Sequence, residues 1–227
     1  MRTRILALGV VICLFGLGQA MAQSSETALP PVLQKQLDSA PDARTRAELL
    51  ERELQAHPDD ALLHFHLGNA YFDQSEFAKA EEHLLKSTQL RKNFIPGLVN
   101  LGSVYDEEGK LEDALRVYLQ ALELNPKEIK TLCNVGIIHF QKRQIEAALN
   151  MYKRALEVDP KSQLARYNLA ILFADAGLYR EAKVEWQKVV DVDAKSDLGQ
   201  RSHDNIGIID ELLNTEIPKL PDDSHGH

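Results

Sequence analysis

Cysteine is nearly absent: Cys13 and Cys133 are the only two in 227 residues. Cys13 lies in an N-terminal segment expected to be removed, so Cys133 has no bridging partner and packing must hold the fold. Other signatures are missing too. There is no glycine-rich phosphate loop, no Gly-x-Ser-x-Gly elbow and no zinc-spaced Cys/His set. No catalytic residue, cofactor or metal is therefore assigned, and the chain is not expected to be an enzyme. Cations are the minority charge, with 26 Lys+Arg against 34 Asp+Glu and a net charge of -8. That balance disfavours nucleic acid and anionic lipid as partners. With 44% hydrophobic and 26% charged residues the composition is that of a folded, soluble chain.

The segment 1–22 reads as a signal peptide. Arg2 and Arg4 open it, an uncharged apolar run extends from Ile5 to Gly18, and Ala20-Met21-Ala22 gives a small-x-small cleavage pattern before Gln23. The run is shorter than the roughly 20 residues that cross a bilayer, so no stable membrane insertion is expected once it is removed. No Asn-x-Ser/Thr acceptor follows, which favours the bacterial periplasm over a glycosylating route. Residues 23–28 are expected to be a flexible lead and 215–227 a mobile tail.

Between 59 and 196 one pattern recurs every 34 residues. Leu67-Gly68, Leu101-Gly102, Val135-Gly136 and Leu169-Ala170 align. Tyr71, Tyr105, His139 and Phe173 form a second column, Ala80, Ala114, Ala148 and Ala182 a third, and Leu84, Tyr118, Tyr152 and Trp186 a fourth. The spacing predicts two helices per repeat, with small residues where they cross and large ones between repeats. Four repeats follow, 59–92, 93–126, 127–160 and 161–196. Residues 27–58 read as a degenerate first copy and 197–214 as a capping helix. Asn125-Pro126 and Asp159-Pro160 close their repeats, whereas Lys92 and Ala194 stand where that proline would be.

These columns resemble the tetratricopeptide repeat family. The resemblance implies an all-α fold, an α-α superhelix (solenoid) of helix-turn-helix repeats whose first helices line a concave groove. The position before each Leu-Gly pair then faces that groove, and it holds His66, Asn100, Asn134 and Asn168. Asparagine carries both a donor and an acceptor, and the row resembles the asparagine ladder of the O-linked N-acetylglucosamine transferase superhelix, which grips peptide backbone. Phe65, Val99, Cys133 and Tyr167 are expected as one groove wall, with Asn69, Ser103, Ile137 and Ile171 as another. Asp73, Glu107 and Asp175 are expected as an acidic rim. Asn69, Asn100 and Lys130 match positions of the family's carboxylate clamp, but Phe65 and Asn134 replace its two strong cations.

His64 and His66 lie two apart on one helix and cannot share a metal, so His64 is expected to be a packing residue. The implied function is that of an exported, non-catalytic scaffold. It would hold an extended peptide or helix of another envelope or secreted protein and assist assembly or localisation of a complex. Self-association into a structural homo-oligomer through the end near Trp186, and capture of a partner's C-terminal carboxylate, are the alternatives.

Overall fold

The computed structural model describes residues 28–216, and the expected signal peptide, most of the lead and most of the tail lie outside them. Eleven helices and no strand are found among the described residues: α1 Pro31–Ser39, α2 Ala43–Ala56, α3 Ala61–Asp73, α4 Phe77–Leu90, α5 Ile95–Glu107, α6 Leu111–Leu124, α7 Ile129–Gln141, α8 Ile145–Val158, α9 Gln163–Asp175, α10 Tyr179–Val192 and α11 Asp197–Glu216. None is long and apolar enough to cross a membrane. Two compact units are distinguished, one ending at Ile138 and the other beginning at His139.

The turn inside each hairpin is set by one left-handed residue. Ser75, Gly109, Arg143 and Gly177 have φ of 60°, 72°, 58° and 77°, and each sits 34 residues after the last. The amide that follows reaches back to the carbonyl of the aromatic or histidine column: Glu76 to Tyr71, Lys110 to Tyr105, Gln144 to His139 and Leu178 to Phe173, at 2.8–2.9 Å. These bonds satisfy carbonyls that a helix end would leave bare. Helix starts are likewise in phase. Asp60 accepts from the amides of Leu62 and Leu63, Glu128 from that of Thr131, and Ser162 from that of Ala165. Ser196 takes the amide of Gly199 and caps α11.

In the first unit, α3 packs on α4 and α5 on α6 through the small column. A Cβ on Gly68 would lie 2.7 Å from Leu84 Cγ, and one on Gly102 2.5 Å from the Tyr118 ring. Helices α1 and α2 continue the arrangement, burying Leu33, Leu37, Ala47 and Leu50. Side chains fasten α2 to α3: Arg46 pairs with Asp73 at 2.8 Å, and the Tyr71 hydroxyl donates to Glu51. Burial is the largest cause, ahead of that bond, of a strongly raised Tyr71 pKa.

The second unit has its own core. Ala148, Tyr152, Leu169 and Leu172 bury one layer, while Tyr167, Ala170, Ala182, Trp186, Val189 and Ile209 bury another. Gln163 ties the end of α10 to the α11 cap, donating to the carbonyls of Val189 and Asp193 and to Ser196 Oγ at 2.9–3.1 Å.

Candidate functional site

The asparagines of the repeated column do not share one environment. Asn100 is half-buried, and its Nδ2 donates to Asn69 Oδ1 across 2.8 Å, joining α5 to α3. The pair consumes one donor and one acceptor. Asn69 Nδ2 and Asn100 Oδ1 remain, a donor and an acceptor set side by side on half-exposed residues. Asn134 is half-exposed on α7, as is Lys130 one turn before it. His66 is half-buried with its ring edge-on to Phe65 at 5.2 Å. Burial lowers its pKa, against a small opposing pull from Asp60, so the ring is neutral near pH 7.

Asn168, in the second unit, departs from this pattern. It is 8% exposed, and its Nδ2 is buried with no partner. Trp186 Nε1 and Ser202 Oγ, on α10 and α11, are buried and unpartnered as well. A buried amide of this kind is not on offer to an incoming chain without movement of its surroundings.

The expected groove walls need a larger correction. Val99, Cys133, Ile137 and Tyr167 are at most 6% exposed, so their side chains belong to the packing of their units and not to an open surface. Burial raises the Tyr167 pKa, with Asn205 and Arg201 acting in opposition. Phe65, Asn69, Ser103 and Ile171 are the wall residues that stay half-exposed, Phe65 edge-on to Phe94 at 5.0 Å. The acidic rim is corrected too. Asp73 is held by Arg46 and Asp175 by Arg143, each at 2.8 Å, so these charges are already engaged within the fold.

A histidine pair went unread in the sequence. His64 is 8% exposed, and its Nδ1 lies 2.9 Å from His83 Nδ1, with the rings stacked at 5.1 Å. Its Nε2 is 3.0 Å from the Pro58 carbonyl, which only accepts, so that nitrogen carries the proton. When both rings are neutral, His83 Nδ1–H must donate to His64. No group of three or more His, Cys, Asp or Glu able to hold a metal occurs among the described residues.

Family models described as "Tetratricopeptide repeat" match residues 37–93, 97–161 and 139–201, together more than half of the chain. No curated protein matches. Among solved structures, a crystal structure of MamA is 19% identical, covering 74% of this chain and 98% of its own, with a TM-score of 0.63. TTC0263, a thermophilic TPR protein of Thermus thermophilus, is 22% identical over 72% of this chain and 90% of its own, also at 0.63. The APC/C hetero-tetramer Cut9-Hcn1 gives a TM-score of 0.69 at 18% identity, over 81% of this chain and 36% of that one. At these identities the likeness is one of fold.

Proposed function

This chain belongs to the tetratricopeptide repeat family, and on that premise we propose that it is a non-catalytic scaffold holding a segment of another envelope protein. The observation that carries the reading is the Asn69–Asn100 bond. It fixes two amide side chains and leaves Asn69 Nδ2 and Asn100 Oδ1 to serve, in turn, a carbonyl and an N–H of an extended backbone. Each such bond contributes about 0.5–1.5 kcal/mol net, so affinity needs several of them. Asn134 supplies the next amide, and Phe65 supplies apolar contact. His66, being neutral, adds hydrogen bonding without charge. Export to the periplasm rests on the pattern of residues 1–22. Cell fractionation followed by N-terminal sequencing tests it, with Gln23 expected as the first residue of the mature chain.

The test of the groove is a double variant, Asn69→Ala with Asn100→Ala, beside Asn134→Ala. Tagged chains are used to recover partners from envelope extracts, and the captured proteins are compared by mass spectrometry. Loss of specific proteins with an unchanged helical spectrum is expected. An identical set from wild type and variants would refute the amide grip. If a partner's free C-terminus were instead the ligand, amidating that terminus would abolish binding and Lys130→Gln would mimic the loss.

A further inference from the structure

A cavity of about 320 Å³ opens between α4, α5 and α6, inside the first unit. Its floor is apolar and buried: Leu98 and Leu101 of α5 meet Val117 of α6. Its rim is polar, and none of the lining residues is a carboxylate in a chain with 34 acids. Lys92 and Arg116 supply two cations, and Gln89 and Gln120 two primary amides. Leu98 and Asn100 are two residues apart, roughly 200° around α5, so this cavity and the amide pair occupy opposite faces of one helix.

Lys92 is where the sequence departs from its own pattern. Pro126 and Pro160 fill that column in the next two repeats. Here a lysine with no ion pair among the described residues stands at the cavity mouth, followed by Asn93 in the left-handed region at φ 64°. Arg116 pairs with Asp113, at 3.1 Å between side chains 63% and 51% exposed. A pair so open to water holds weakly, and the guanidinium is free to turn to an anion that binds it in two places.

We propose that this cavity is a binding site for a small amphiphilic anion, a carboxylate with a short aliphatic tail. Lys92 and Arg116 take the carboxylate, Gln89 and Gln120 donate from the sides, and the tail lies on Leu98, Leu101 and Val117. The cavity holds roughly ten water volumes, room for a head group and a chain of about seven carbons. Most pockets that hold small ligands share this plan of an apolar body with a few convergent polar groups.

The test is a titration of the full described fold, as the mature chain, with sodium octanoate, followed by amide chemical shifts. Saturable shifts at Gln89, Lys92, Asn93 and Gln120 are expected in the low-millimolar range suited to so small a ligand. Lys92→Gln combined with Arg116→Gln should weaken binding at least tenfold, and both positions are exposed, so folding is not at stake. Octylammonium, with the same tail and the opposite charge, should leave these amides unmoved. The proposal falls if octylammonium and octanoate bind equally, if the double variant titrates like wild type, or if no saturable shift occurs. The Asn69→Ala, Asn100→Ala variant should keep the octanoate response, so this test stands or fails apart from the groove.

Discussion

Replacing Gly102 by alanine separates close packing from helix propensity, because the two act with opposite sign. Alanine in a helix interior is favoured over glycine by about 1 kcal/mol. At Gly102, however, a Cβ would lie 2.5, 2.7 and 2.8 Å from Cε1, Cδ1 and Cζ of Tyr118. Carbon atoms rest at roughly 3.5–4.0 Å, so the ring must retreat by about 1 Å. Tyr118 is fully buried, and its hydroxyl meets Ser103 Oγ at 3.1 Å, which leaves a rigid ring little room. Overpacking costs about 1–3 kcal/mol; for so rigid a ring the upper half of that range, about 2–3 kcal/mol, applies, and after the propensity gain a net loss of about 1–2 kcal/mol is expected. Gly68→Ala should cost a similar amount, since a Cβ there would lie 2.7 Å from Leu84 Cγ and 3.2 Å from the Leu84 backbone nitrogen, and Leu84 is fully buried. Gly207→Ala on α11 meets nothing within 4 Å and should be stabilising by about 0.5–1 kcal/mol. Urea unfolding followed by helical circular dichroism gives all three values, compared through midpoint and slope. A Gly102→Ala midpoint equal to or above wild type, at unchanged slope, would show that the helices do not meet at the distance described.

Ser75→Gly should raise stability by about 0.5–1 kcal/mol, because a left-handed φ of 60° strains a residue with a Cβ; an unchanged or lower urea midpoint would count against the turn geometry. Asp60→Ala should cost about 1 kcal/mol, read the same way, since it strips the acceptor from the amides of Leu62 and Leu63. Acid should destabilise the fold through the histidines. Burial, then the charge of His64, holds His83 below its ordinary 6.5. The neutral form is therefore favoured in the folded state, and its stabilisation is complete above pH 6.5 and lost as the pH falls from there through the folded value. Urea midpoints at about pH 7.5 and about pH 5 should show this loss for wild type and a smaller one for His83→Gln; equal losses would remove His83 from the account.

How much of this could be read beforehand depends on whether the relevant residues keep phase. The all-α repeat fold was legible because its packing is written in columns: Gly68 and Gly102 face Leu84 and Tyr118 at the spacing their positions imply. The turn column was half legible. Gly109 and Gly177 announce a left-handed residue, while Ser75 and Arg143 adopt the same φ without any compositional sign. The cap column, Asp60, Glu128, Ser162 and Ser196, was open to reading, but Phe94 interrupts it and chemically different residues perform the one task.

Phase fixes the face of a helix on which a side chain lies, and it says little about depth. Val99, Cys133 and Tyr167 share a column with half-exposed Phe65, yet they are buried, because depth depends on what the neighbouring helices carry. Asn168 shows the same limit: it has the phase of Asn100 and a far more buried amide. Charge pairing escaped for a related reason. Asp73 is met by a residue 27 positions earlier and Asp175 by one 32 positions earlier, so the rim's partners form no column that a spacing argument would find. The same holds for His64 and His83, nineteen positions apart on two helices. Lys92 is the reverse case. It stands out as an exception to the proline column, but the exception has chemical meaning only because Arg116 of α6, out of phase with it, lines the same cavity. Functional residues in such a fold are thus sought in two places: in a repeated polar column such as Asn100 and Asn134, which packing does not require, and where the period fails and the fold brings the exceptions together.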